Sequence, residues 1–221
     1  MIEKSIIITA GGVGKRMESF IPKQFLLLNN RPILMHTIEK FYLYDRGIEI
    51  ILVLPKDQIE YWNQLCVKQK FPIGHTVVSG GKERFHSVKN GLTQVTGKTI
   101  GVHDAVRPLV SIEVVDNCFK AAEKSGAAIP VLEITQSLRE IGKNTSRAVN
   151  RSNYKLVQTP QCFETNLLKG AYDTPYLDHF TDDASVVETS GQEIQLIEGN
   201  SENIKITRPT DLKLAEFLMN S

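Results

Sequence analysis

Continuous apolar runs alternate with stretches of helical spacing along most of this chain. Residues 5–10 read SIIITA, residues 49–54 EIILVL, residues 99–103 TIGVH and residues 127–132 AAIPVL. Runs of this kind, without polar alternation, mark strands covered on both faces, as parallel strands are. A shorter strand is expected at residues 75–79. Between the runs, residues 32–44 carry Ile33, Leu34, Ile38 and Phe41 at helical spacing. Further helices are expected at residues 56–66, 83–95 and 112–125. Strand and helix in strict alternation predict an α/β protein with right-handed crossovers.

The rhythm breaks at residues 133–158. This stretch is polar, holds β-formers without helical period, and carries a turn signal at Gly142-Lys143-Asn144. It predicts a protruding β-hairpin arm. A hairpin alone is marginal in water, so it needs a surface to pack on, and a second subunit supplies one. Regular structure resumes with helices at residues 164–172, 182–189 and 209–219 and a strand at 194–198. The expected architecture is a Rossmann-like three-layer sandwich with a mostly parallel central sheet. It forms one domain over residues 1–221, with residues 133–158 as an arm for dimerisation.

Charge changes the picture by what it excludes. The 221 residues carry a formal net charge of +1, with 41% hydrophobic and 23% charged residues. No global field draws the chain to nucleic acid or to a membrane, so an anionic ligand must be recruited by local cations. No run approaches the ~20 apolar residues of a membrane span, and the N-terminal apolar stretch is too short for a signal segment. Cys66, Cys118 and Cys162 are sparse and odd in number, which fits thiols in a reducing compartment rather than a disulfide framework or a zinc site. The cytoplasm is the expected location. The five histidines show no ligand spacing, and Trp62 reads as packing.

Ligands of open α/β sheets sit beyond the carboxyl ends of the strands. Two chemistry-bearing segments fall there. After the first strand comes Thr9-Ala10-Gly11-Gly12-Val13-Gly14-Lys15-Arg16-Met17, then Pro22-Lys23-Gln24. Small residues there let backbone N–H groups approach phosphate oxygens, and Lys15, Arg16 and Lys23 add charge. The spacing is neither the dinucleotide G-x-G-x-x-G nor the G-x-x-x-x-G-K-[ST] phosphate loop. After the fourth strand comes His103-Asp104-Ala105-Val106-Arg107-Pro108. A carboxylate beside a triphosphate is a natural magnesium ligand; a structural Asp104–Arg107 salt bridge is the plainer reading. A third segment, Ser79-Gly80-Gly81-Lys82-Glu83-Arg84-Phe85-His86-Ser87-Val88, opens a helix with glycines that let backbone meet a flat base.

The order A-G-G-x-G-x-R-M then P-K-Q resembles the signature of the sugar-phosphate nucleotidyltransferases. The resemblance implies that Ala10, Gly11, Gly12, Gly14 and Lys15 wrap a triphosphate and that Arg16 and Lys23 contact its phosphates and stabilise the transition state. The Ser79–Val88 stretch is similar to the G-G-x-x-R-x-x-S-V segment of the cytidylyltransferase branch, which implies that Gly81, Lys82 (through its backbone) and Ser87 read cytosine. The H-D-A-V-R-P segment resembles that branch's H-D-A-A-R-P, which implies a magnesium ligand in Asp104 and a substrate-pocket residue in Arg107. Residues 150–153 (NRSN), Gln158-Thr159-Pro160-Gln161 and residues 202–207 (ENIKIT) resemble segments of the methylerythritol-phosphate cytidylyltransferases, with Asn150 and Ser152 departing from the usual D-R-N. This resemblance implies that Ser137, Arg151 and Thr159 bind an acceptor phosphate across a homodimer interface, and that Lys205 meets the acceptor from the main domain. Thr181-Asp182-Asp183-Ala184-Ser185 also matches a family segment, but reads as a helix cap with acids in the first turn.

The reaction implied is in-line attack by a polyol phosphate on the α-phosphorus of CTP. A phosphate monoester has its second pKa near ~6, so the nucleophile is largely ionised without a general base. Catalysis then rests on positioning and charge neutralisation. The alternatives are a ribitol-5-phosphate cytidylyltransferase and a catalytically silent nucleotide-binding protein of the same fold.

Overall fold

The structure, a computed structural model, describes residues 2–11 and 21–220. Strand β1 (Lys4–Thr9) opens the chain. A 3-10 turn at Lys23–Phe25 and a two-residue hairpin, β2 (Leu27–Leu28) with β3 (Arg31–Pro32), lead into helix α1 (Ile33–Tyr44). Then follow β4 (Glu49–Leu54), α2 (Ile59–Lys68), β5 (Thr76–Ser79), α3 (Arg84–Leu92), β6 (Thr99–Asp104), α4 (Ile112–Ser125) and β7 (Ala127–Glu133). Strands β8 (Leu138–Ile141) and β9 (Ser146–Val149) pair only with each other, and β10 (Lys155–Val157) and β11 (Gln161–Glu164) follow. Helices α5 (Thr165–Ala171) and α6 (Asp183–Glu188), strand β12 (Gln195–Glu198) and helix α7 (Pro209–Met219) complete the chain.

The main sheet runs β5-β4-β1-β6-β11-β7, with parallel pairs among β5, β4, β1 and β6. Strand β11 enters antiparallel between β6 and β7. One edge of β7 takes β11 and then β10, both antiparallel; the other takes β12 in parallel. Strand periodicity decides the layers. Ile6, Ile8, Leu52 and Leu54 join the cluster of Leu34, Ile38 and Phe41 from α1, Trp62 from α2 and Phe119 from α4. Ile7, Ile51 and Val53 join Val88 and Leu92 from α3, Leu168 from α5 and Val187 from α6 on the opposite face. Both sets are buried, which is why the strands read as unbroken apolar runs. The three-layer α/β sandwich expected from the sequence is thus the architecture found.

Local chemistry sets the element ends. Helix α4 starts where Ser111 Oγ accepts the Val114 N–H at 3.1 Å, and stops at Gly126, whose φ of 86° favours glycine. In β6, a Cβ on Gly101 would lie 2.8 Å from Ile6 Cδ1 and 3.3 Å from the Phe119 ring, so glycine lets α4 seat against the sheet. Two expectations change. The hairpin is narrower than residues 133–158: only β8 and β9 form it, turning at Gly142, while Glu133 and Lys155 already pair within the main sheet. Strand β11, absent from the sequence reading, fills the gap between β6 and β7. No helix among the described residues is long and apolar enough to cross a membrane.

Candidate active site

A cleft of about 370 Å³ opens beyond the carboxyl ends of β1 and β6. Ala10, Gly11, Lys23, Gly81, Lys82, Ser87, Asp104 and Lys205, all singled out in the sequence, line it together. Gly12, Gly14, Lys15 and Arg16 lie outside the described residues. Arg107 and Thr159 stand behind the cleft wall. Ser137 and Arg151 are exposed on and beside the hairpin and do not line the cleft of their own chain. Arg151 Nη1 donates to the Thr135 carbonyl.

Two of the lining cations, Lys23 and Lys205, are each carried by a buried neighbour. Gln24, 1% exposed, donates through Nε2 to the Ala10 carbonyl at 3.0 Å and to Gln58 Oε1 at 2.6 Å. Phe25 beside it packs into the core, stacked on Trp62 at 6.2 Å. The turn holding Lys23 is thereby fastened to the end of β1. Lys205 precedes Ile206, which is wholly buried and whose N–H donates to the Val106 carbonyl at 3.0 Å. Anchoring Ile206 inward leaves Lys205 on the cleft side.

Asp104 is the electrostatic centre. Its Oδ2 receives Lys205 Nζ at 3.0 Å and Arg107 Nε at 3.0 Å; Oδ1 takes part in neither contact. Burial would raise its pKa, but Lys205, then Arg84 and Arg107, hold it well below the usual carboxylate range. The plain salt bridge weighed for Asp104 and Arg107 is therefore present, and it sits at the cleft wall. Arg107 Nη1 also donates to the Asn203 carbonyl at 2.8 Å, and Asn203 Nδ2 donates to the Thr159 carbonyl at 2.8 Å. Behind Asp104, its own N–H donates to Thr159 Oγ1 at 3.1 Å, and that hydroxyl lies 3.0 Å from His103 Nδ1. Burial pushes the His103 imidazole down to about 4.

The segment after β5 is held by its own helix. Ser87 Oγ accepts the Gly81 N–H at 3.1 Å and donates to the Glu83 carbonyl at 3.2 Å, clamping the glycines onto α3. A Cβ on Gly81 would fall 2.4 Å from His86 Cβ, so only glycine permits this approach.

Arg84 lines the cleft as well, and sequence reasoning gave it no role. Its Nη1 and Nη2 meet Asp183 Oδ1 and Oδ2 at 2.8 and 2.6 Å, and Tyr172 donates to Oδ1 at 2.6 Å. Burial disfavours the charged guanidinium, but Asp183 outweighs it and raises the Arg84 pKa above its ordinary range. The capping reading of residues 181–185 holds: Asp182 Oδ1 accepts the Ser185 N–H at 2.9 Å, and Ser185 Oγ accepts in return from the Asp182 N–H. Asp183 adds a second task by pinning Arg84. The available signal was the doubled acid, one more than a cap requires.

No group of three or more histidine, cysteine or acidic side chains able to enclose a metal occurs among the described residues. One carboxylate beside a phosphate-sized cleft instead suits magnesium, which is commonly held by one or two carboxylates plus substrate phosphates.

Comparison with known proteins points to one family. The profile of the family described as 2-C-methyl-D-erythritol 4-phosphate cytidylyltransferase matches residues 5–221. A protein of that name from Phocaeicola vulgatus is 52% identical over 219 residues, covering 99% of this chain and 100% of its own length. Among solved structures, a 4-diphosphocytidyl-2C-methyl-D-erythritol synthase from Anaerococcus prevotii superposes with a TM-score of 0.84 at 26% identity, covering 100% of this chain and 97% of the other. A 2-C-methyl-D-erythritol 4-phosphate cytidylyltransferase from Thermus thermophilus superposes at 0.79 with 32% identity, covering 100% of both.

Proposed function

This chain belongs to the 2-C-methyl-D-erythritol 4-phosphate cytidylyltransferase family, and from that premise we propose that the cleft beyond β1 and β6 carries the family's reaction with the residues described above. The enzyme is a nucleotidyltransferase of non-mevalonate isoprenoid synthesis. It transfers CMP from CTP to 2-C-methyl-D-erythritol 4-phosphate, giving 4-diphosphocytidyl-2-C-methyl-D-erythritol and pyrophosphate. The ribitol-phosphate alternative draws no support from these relatives.

The observation that carries the assignment of the site is the convergence of Lys23, Asp104 and Lys205 on one cleft from three distant parts of the sequence. Attack by one phosphate on another brings like charges together, so fixed cations lower the barrier where charge accumulates. Lys23 sits on the nucleotide side, next to Ala10 and Gly11. Lys205 serves the acceptor side, with Arg107 behind the wall bracing Asp104. Gly81 and Lys82 offer backbone to cytosine, on a loop that Ser87 holds in place. Asp104 Oδ1 is the group suited to hold magnesium, which supplies charge neutralisation on the phosphates when bound.

Ser137 and Arg151 support a homodimer. They do not line their own chain's cleft, so a role on the acceptor phosphate requires a second copy. Ile141, Tyr154, Leu156 and Val157 expose 75%, 47%, 50% and 43% of their surface along the arm and its root, apolar area that a partner would cover. All three cysteines are free, which fits a reducing cytoplasm.

The test is pyrophosphate release across a panel of acceptor phosphates and the four nucleoside triphosphates, with and without magnesium. Turnover is expected with CTP and 2-C-methyl-D-erythritol 4-phosphate, and it should depend on the metal. Faster turnover with ribitol 5-phosphate, or none with CTP, would overturn the reading.

A further inference from the structure

His103 enters none of the chemistry above, yet among five histidines it alone has no exposed surface. Its ring packs edge-on against Phe41, with centroids 4.9 Å apart, and both ring nitrogens are engaged. Nε2 lies 3.0 Å from the Arg107 carbonyl oxygen, which can only accept, so Nε2 carries the proton. In the neutral ring Nδ1 is then bare and accepts from the Thr159 hydroxyl at 3.0 Å. The same hydroxyl oxygen accepts the Asp104 N–H at 3.1 Å. Every donor in the chain is fixed in direction: Asp104 N–H to Thr159, Thr159 O–H to His103, His103 Nε2–H to the Arg107 carbonyl.

The relay ties the first residue of the 104–107 turn to the last. Those two residues are the ones whose side chains meet at the cleft wall, with Arg107 Nε 3.0 Å from Asp104 Oδ2. We propose that His103 is a positioning residue, which holds the Asp104–Arg107 turn in place and turns the Thr159 hydroxyl proton inward. This rests on the reading of the cleft given above and changes the part given to Thr159. A hydroxyl whose proton is engaged by His103 has only a lone pair left, and an ionised phosphate oxygen offers only lone pairs. The Thr159 hydroxyl thus acts through the turn, not as a donor to the acceptor phosphate.

Two measurements test this. Nitrogen NMR of the imidazole rings in the full-length, ligand-free protein should show His103 protonated at Nε2 and bare at Nδ1. The opposite tautomer overturns the proposal. This readout stands whether or not the acceptor has been identified correctly. Steady-state kinetics then compare Thr159→Val with Thr159→Ser. The valine, which keeps the shape and breaks the relay, should lower kcat about 10- to 100-fold, as a small misplacement of reacting groups does, with the acceptor KM within about threefold. Serine, which restores the hydroxyl, should recover most of kcat. A raised acceptor KM with kcat preserved in Thr159→Val is the signature of a phosphate ligand and overturns the proposal. Should the valine variant not fold, the serine kinetics and the NMR tautomer decide.

Discussion

Replacing Asp183 by asparagine removes a charge from a side chain with no exposed surface and leaves Arg84 facing a neutral amide. In the native cleft wall Asp183 accepts two guanidinium N–H groups at 2.8 and 2.6 Å and the Tyr172 hydroxyl at 2.6 Å. Breaking one partner of a buried pair costs about 3–5 kcal/mol, because the other charge is left uncompensated. Arg84 keeps 32% side-chain exposure, so water recovers part of that loss. A net cost of about 2–4 kcal/mol follows. At this chain length about 1 kcal/mol moves Tm by about 2–4 °C, so Tm should fall by about 4–16 °C.

The double variant Arg84→Gln with Asp183→Asn separates stability from function. With both charges gone no ion is stranded, and much of the lost Tm should return. If Arg84 lends its charge to the nucleotide, the KM for CTP stays raised in the double variant although its stability recovers. Thermal unfolding followed by circular dichroism, and pyrophosphate release at varied CTP, give the two readings. An Asp183→Asn protein melting within about 1 °C of wild type, or a double variant no more stable than the single, would refute the reasoning.

Gly81→Ala places a Cβ 2.4 Å from His86 Cβ, and both atoms are fixed to backbone, so the loop must shift. CTP binding by calorimetry should weaken at least about tenfold, equal to about 1.4 kcal/mol, with Tm little changed; an unchanged Kd contradicts the loop's role. His75 accepts the Trp62 indole N–H at 2.9 Å through Nε2, and its Nδ1 meets the Ile73 carbonyl at 2.8 Å. Burial holds its pKa below the ordinary value, so the unfolded chain binds the proton more readily. The stability this contributes is full above about pH 6.5 and declines as pH falls below it. Unfolding at pH 7.5 and 5.5 should show a larger loss in wild type than in His75→Asn, and equal losses would count against it.

The layers were legible because every central strand is covered on both faces, and such strands announce themselves as unbroken apolar runs. What periodicity does not carry is partnership. Residues 155–157 read as β-formers in continuity with the polar stretch before them, yet their hydrogen bonds go to residues 131–133 of the main sheet. Strand β11 is four residues long and apolar only at Cys162 and Phe163; nothing in QCFE says that it runs antiparallel between β6 and β7. In the cleft, Lys23, Asp104 and Lys205 could be found because each sits in a recognisable segment just past a strand or turn. Arg84 was passed over because its anchor, Asp183, lies 99 positions away, and a buried ion pair leaves no local pattern.

The charges lining the cleft decide what else the enzyme needs. Among the described residues, four cations, Lys23, Lys82, Arg84 and Lys205, face two acids, Glu83 and Asp104. Asp183 directly behind offsets Arg84, and Asp104 holds Lys205. The surplus left for ligands is small against a triphosphate joined by a second phosphate that alone carries about −1.5 to −2 at neutral pH. The net charge of +1 offers no compensating long-range field. Asp104 keeps its neighbouring cations ordered before any anion arrives, which lowers the reorganisation needed at the moment of reaction. It also consumes their charge. Productive binding therefore calls for positive charge from outside this set of side chains. Under the function proposed above it has three sources: Lys15 and Arg16 of the glycine-rich segment, a magnesium ion at Asp104, and Arg151 of a second copy.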